Sequence, residues 1–183
     1  MLLLRLLLSC IRSSIVLLIV VLSCRLIYFN TTASEIRGYY FAYPALHYNV
    51  GDLVLVCVSK TSYVKVLRQL GLPFDYSSPC PGYMPFLLKR IVAVAYDEVN
   101  ITKLGIIINH NLRPYPHSQA LESYRGINLL NQLPHKFRLK AGEYFLLGET
   151  THSYDSRYFG VVQRAQIYRK AFLLHAETAQ LIW

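Results

Sequence analysis

The sequence predicts a mainly β, antiparallel domain behind one N-terminal transmembrane helix, and three observations carry that reading. The first 29 residues contain three arginines, no acid and a long apolar run. Beyond residue 30, short apolar runs rich in β-branched and aromatic types alternate with Gly, Asn and Asp, the pattern of strands and turns. The strand–helix–strand rhythm that builds a parallel sheet is missing. Length and composition set the frame: 183 residues, 54% apolar and 16% charged, exclude an intrinsically disordered chain and fit one well-cored domain plus an appendage.

The N-terminal stretch comes first. From Ser13 to Phe29 a single charge, Arg25, interrupts seventeen residues. As a helix rising about 1.5 Å per residue they cover roughly 26 Å, near the minimum for a bilayer. Arg25 lies close enough to the far end to snorkel to the interface. Arg5 and Arg12 precede the run, so the positive-inside rule keeps the N-terminus cytoplasmic and exports everything after Phe29. Residues 1–29 are therefore expected to form a cytoplasmic tip and a single-pass anchor in a bacterial inner membrane, and residues 30–183 an extracytoplasmic, periplasmic domain. Two other layouts share the pattern: a cleaved signal peptide, and a lipoprotein signal in which Val21-Leu22-Ser23-Cys24 is a loose lipobox with Cys24 lipidated.

In the exported part, Leu53 to Val58 follows Gly51-Asp52, Ile91 to Val94 precedes Tyr96-Asp97, Ile106 to Ile108 follows Gly105, and Tyr144 to Leu147 lies between Gly142 and Gly148. Each run is bounded by turn formers and reads as a strand. Pro79, Pro81, Pro85, Pro114, Pro116 and Pro134 fall between the runs and mark loops. The stretch from Leu112 to Lys140 is the most polar and irregular, an insertion with one short helix expected at Ser118 to Tyr124. The run from Tyr39 to Tyr43 is either a first core strand or an interfacial aromatic belt.

Bases outnumber acids 19 to 10, a formal net charge of +9. All the acids lie after residue 30, so the first 29 residues carry +3 and the remainder +6. No nucleic-acid-binding motif accompanies this excess, which is read as a basic domain facing an anionic lipid bilayer. Cys10 and Cys24 belong to the anchor, leaving Cys57 and Cys80 in the exported part, either as a disulfide of an oxidising compartment or as two separate buried thiols. No cofactor is expected. No metal is expected either, since the histidines and cysteines lack C-x-x-C or H-x3-H spacing.

Three segments hold residues suited to chemistry. Asn30 to Tyr40 places the hydroxyls of Thr31, Thr32 and Ser34 just beyond the membrane exit, where the alternative is a solvated linker. In Leu87-Leu88-Lys89-Arg90-Ile91-Val92 a strictly alternating strand puts Lys89 on the face of Leu87 and Ile91, which would desolvate its ammonium and lower its pKa. Such a lysine can act as a general base towards a serine; the alternative is a side chain that reaches back to water. Gly148 to Gly160 gathers His152, Ser153, Asp155, Ser156 and Arg157, with Asp155 and Arg157 able to brace each other. A Ser-His-Asp reading through His152 and Asp155 lacks a signature such as G-x-S-x-G.

In this order the segments resemble type I signal peptidases of the Ser-Lys class, peptidase family S26, and within it the TraF-type signal peptidases of conjugative transfer. Ser34-Glu35-Ile36-Arg37-Gly38-Tyr39-Tyr40 is similar to the pattern S-x-P-x-G-x-Y, with Ile36 in place of proline. Gly51-Asp52-Leu53-Val54 resembles G-D-x-V. Lys89 to Val99 resembles K-R-V-V-x-x-P-G-D-x-V, with Ala95-Tyr96 replacing Pro-Gly. Gly142 to Gly148 followed by Asp155 to Gly160 resembles G-x-Y-F-x-x-G…D-S-R-x-x-G. The resemblance implies a signal-peptidase-like, LexA-related antiparallel β domain that cleaves signal peptides from exported precursor proteins, with a pilin-like precursor as the expected partner. It implies Ser34 as nucleophile, Lys89 as general base, Thr32 and Ser153 as oxyanion and orienting hydroxyls, and Asp155 and Arg157 as supports. A housekeeping signal peptidase and a non-catalytic anchored β module of a secretion or pilus system are the alternatives. The second requires Lys89 exposed and away from Ser34.

Overall fold

The computed structural model describes residues 10–17, 26–58, 75–76, 78–102, 104–111, 114–119, 123–124, 127–128 and 135–177. In chain order the strands are β1 (Ile27–Asn30), β2 (Gly38–Tyr43), β3 (Leu53–Val56), β4 (Leu87–Ala93), β5 (Glu98–Thr102), β6 (Gly105–Ile108), β7 (Ser123–Tyr124), β8 (Ile127–Asn128), β9 (Lys136–Arg138), β10 (Glu143–Leu147), β11 (Val162–Gln163) and β12 (Ile167–Ala176). A seven-stranded antiparallel sheet runs β1-β2-β12-β3-β4-β10-β11, a smaller one β6-β5-β9, and β7 pairs with β8.

Alternation along β3 sorts its residues between two cores. Val54 and Val56 join Ile91, Leu146, Phe159 and Ile167, whereas Leu55 packs with Tyr40, Ala42, Leu88 and Ala171. A third core, built from Val92, Val99, Ile106, Leu139 and Phe145, joins the large sheet to the small one. Fully burying one such aliphatic or aromatic side chain contributes roughly 1.5–3 kcal/mol, which favours this register over a one-residue slip that would turn every side chain over. The register sets Val54 opposite Lys89 and Leu55 opposite Leu88. Lys89 therefore lies on the Val54 side of the sheet, as the alternating pattern requires.

Several expectations change. The predicted anchor reached Phe29, but Ile27 to Phe29 pair with Phe41 to Tyr39 in β1–β2, and Leu26 O accepts from Ala42 N–H. Aromatic pairing of Phe29 with Tyr39 accompanies this ladder, with ring centroids 4.7 Å apart. Residues 10–17 are helical; the rest of the predicted span, including Cys24 and Arg25, lies outside the described residues. Among the described residues no helix is long and apolar enough to cross a membrane. The helix expected at Ser118 to Tyr124 is not formed at its end, where Ser123–Tyr124 pairs with Ile127–Asn128 as strand. Ser118 is buried, its hydroxyl accepting from Ile106 N–H and donating to Tyr115 O, so that it ties the insertion to β6. The run from Tyr39 to Tyr43 is a core strand, with Tyr40 and Ala42 buried. Cys57 and Cys80 form a disulfide that links the end of β3 to the loop before β4.

Candidate active site

The site forms where three segments meet: the loop from β1 to β2, the middle of β4, and the loop after β10. The first is shaped by Asn30, which is 1% exposed. Its Oδ1 accepts from Thr32 N–H at 3.2 Å, an Asx turn, and from Thr32 Oγ1 at 2.9 Å. Its Nδ2 donates to Thr32 O, Glu35 O and Ile36 O at 3.0, 3.1 and 3.1 Å. One buried amide thus folds the loop around Ser34. The sequence reading assigned Asn30 no role. The signal it missed is an Asx residue two positions before a Thr at the end of an apolar strand.

Lys89 Nζ donates to Ser34 Oγ at 2.7 Å and to Leu88 O at 3.0 Å. Ser34 Oγ is also 3.0 Å from Thr32 Oγ1. Lys89 is 2% exposed and does not reach back to water. Burial pushes its amine down to about 8, with Arg157 acting in the same direction and Asp155 and Glu35 opposing. The neutral amine is thus accessible near physiological pH.

The third segment approaches because β10 pairs with β4, placing Leu147 opposite Arg90 and so delivering Gly148 beside the lysine. Glu149 N–H donates to Ser34 O at 2.8 Å. A Cβ on Gly148 would stand 2.2 Å from Ser153 Oγ and 2.8 Å from Ser34 O, so only glycine permits this approach. Asp155 and Arg157 are both 0% exposed in their side chains and form a two-pronged ion pair, Nε to Oδ1 at 2.8 Å and Nη2 to Oδ2 at 2.7 Å. Asp155 further accepts from Gly148 N–H and caps the helical turn Ser156–Phe159. Arg157 donates to the carbonyls of Thr150, Thr151 and Ser153 in its own loop and of His117 and Gln119 in the insertion. The pair therefore holds the loop after β10 to the rest of the domain.

Ser153 is buried, but its Oγ has no hydrogen-bond partner and stands against Gly148. The structure gathers Ser34, Lys89 and Thr32 into one hydrogen-bonded chain and brings Asp155 and Arg157 behind it; it gives Ser153 a place beside the chain without a bond to the amine. Among the described residues no cluster of His, Cys, Asp or Glu could hold a metal.

Such a chain can deprotonate a hydroxyl and direct it at a carbonyl. The model of the family "Signal peptidase, peptidase S26" matches residues 6–176. The plasmid transfer protein TraF of Escherichia coli is 31% identical over 140 residues, covering 75% of this chain and 76% of that protein. The probable conjugal transfer protein TraF of Sinorhizobium fredii is 34% identical over 120 residues, covering 64% of this chain and 60% of that protein. Among solved structures, a signal peptidase I from Enterococcus faecalis aligns with a TM-score of 0.39 at 16% identity, over 69% of this chain and 98% of that one.

Proposed function

This chain belongs to the signal peptidase family, peptidase S26, and from that premise we propose that it is a membrane-anchored serine endopeptidase that removes the signal peptide of a pilin precursor in conjugative transfer. The observation that carries the reading is the 2.7 Å contact between Lys89 Nζ and Ser34 Oγ, with the amine out of water. At rest the ammonium donates to Ser34. Once neutral, Lys89 accepts the Ser34 proton as Oγ attacks the scissile carbonyl, and then passes it to the leaving amine. The Ser34 N–H and the Thr32 hydroxyl serve as oxyanion donors. Thr32 reaches that role by turning its proton from Asn30 Oδ1 to the developing charge, and losing a donor of this type lowers rates roughly 10²–10³-fold.

Water as the second nucleophile releases the signal peptide from its ester on Ser34; ring closure of the pilin is a separate acylation, in which Ser34 takes a carbonyl near the pilin's C-terminus, the segment beyond it leaves as the amine, and the pilin's free N-terminal amine then displaces Ser34. The anchor is proposed to lie before β1 and to hold the β domain on the periplasmic face of the inner membrane, with Ser34 on the loop that directly follows β1 and so close to where a signal helix emerges. The names of the relatives, a plasmid transfer protein and a probable conjugal transfer protein, support work in conjugative transfer over a housekeeping role. The burial of Lys89 argues against a non-catalytic module. Coexpression of the full chain with a candidate pilin precursor tests the proposal. The product mass should fall by that of the signal peptide, with the further loss of a C-terminal segment and no water gained at the second cut if the ring closes, and an uncut precursor would contradict it.

A further inference from the structure

Glu35 is a buried carboxyl that the mechanism above leaves unused. It follows Ser34 directly and is 2% exposed, and its Oε1 is buried with no hydrogen-bond partner. Its Oε2 lies 3.6 Å from Nη2 of Arg90, the residue after Lys89. Arg90 also donates to Glu149 Oε1 at 2.8 Å and to Gly51 O at 3.0 Å, and Glu149 N–H returns to Ser34 O. Ser34, Glu35, Arg90 and Glu149 thus close a ring beside the reacting pair. An ionised carboxylate oxygen held out of water without a donor is costly, and the cost falls when the group takes a proton.

We propose that Glu35 is a positioning residue for the proton of Lys89, its buried carboxyl setting the pH at which the amine becomes a base. The proposal rests on Lys89 being the base. The groups facing Glu35 are Arg90, Glu149, Lys89 and the Tyr40 phenol; those facing Lys89 are Asp155, Arg157 and Glu35. Asp155 and Arg157 act on the amine in opposite directions and are bound to each other. Glu149 is half exposed and held by Arg90. Among the described residues facing the amine, Glu35 is therefore the buried carboxyl that no ion pair at hydrogen-bonding distance holds. Ionised, it favours the ammonium; protonated, it releases it. One proton lost at Lys89 and one gained at Glu35 give the competent pair without changing the net charge of the buried cluster. Burial, with Glu149 nearby, pushes Glu35 up to about 8, into the same range as Lys89.

Carbon-13 NMR titration of the full chain in detergent, following Lys89 Cε and Glu35 Cδ, tests this. Both nuclei should report the same two macroscopic steps, and Glu35→Gln should lower the Lys89 midpoint by about one pH unit and carry the acidic limb of kcat/KM with it. A Glu35 that titrates in the ordinary carboxylate range, below about 5, overturns the proposal, as does a Lys89 midpoint unmoved in Glu35→Gln. The wild-type titration requires no variant, so a Glu35→Gln chain that does not fold leaves the test standing. The midpoints are read without substrate, so they are independent of whether Ser34→Ala abolishes cleavage, which tests the function itself.

Discussion

Lys89 takes a proton from Ser34 only when neutral, so cleavage should rise with pH through about 8 and then level off. A kcat/KM profile with its half-point near 10.5, the ordinary lysine value, would show that burial does not prepare the base. The same depression links to stability. Between about 8 and 10.5 the unfolded chain binds a proton at this lysine that the folded chain has released, so the Lys89 contribution to stability rises with pH across that window. The urea midpoint of the wild type should accordingly climb relative to that of Lys89→Met between pH 8 and pH 10. Asn30→Ala removes the amide that folds the nucleophile loop. It should cost about 1–3 kcal/mol and lower kcat more than it raises KM, because the loss falls on the placement of Ser34 and Thr32.

At the scale of elements, two turns explain their residues differently. Gly148 is glycine because the chain passes between Ser153 and the Ser34 carbonyl, and Gly148→Ala should push these apart and depress cleavage while the strands remain. Tyr96 has φ +73 and is 71% exposed, at a position where the family pattern has glycine. Tyr96→Gly should therefore stabilise by about 0.5–1 kcal/mol in urea unfolding, leaving activity unchanged. The strands with β-branched or aromatic runs, β3, β4, β6 and β10, were legible because their burial writes itself as consecutive apolar residues. β12, the ten-residue strand between β2 and β3 in the large sheet, was not: Arg169 and Lys170 interrupt its apolar pattern while their charges reach the Tyr168 ring and Asp52. β5 and β9 were hidden for the same reason, as Glu98 and Lys136 form an ion pair across the small sheet. Lys89 was legible from its apolar flanks. The reach of Arg157 to His117 and Gln119, some forty residues away, was not, since no local pattern encodes it.

Across the whole molecule, the disulfide closes a segment with a sequence separation of 23, which in the loop-entropy model stabilises by about 3 kcal/mol. Replacing Cys57 and Cys80 together by alanine should lower Tm by several degrees and leave the pH profile of cleavage in place, because neither cysteine is a hydrogen-bond partner of Ser34 or Lys89. A disulfide also fits the oxidising compartment proposed for residues 30–183. The +9 charge is distributed as a basic domain following a basic N-terminus, consistent with the proposed work at an anionic membrane face. The central claim is that Ser34 and Lys89 together perform the cleavage. The most direct measurement is the rate of precursor cleavage by the full chain beside Ser34→Ala and Lys89→Arg, each shown to be folded by its thermal transition. The account predicts that both variants leave the precursor uncut; substantial cleavage by either would contradict it.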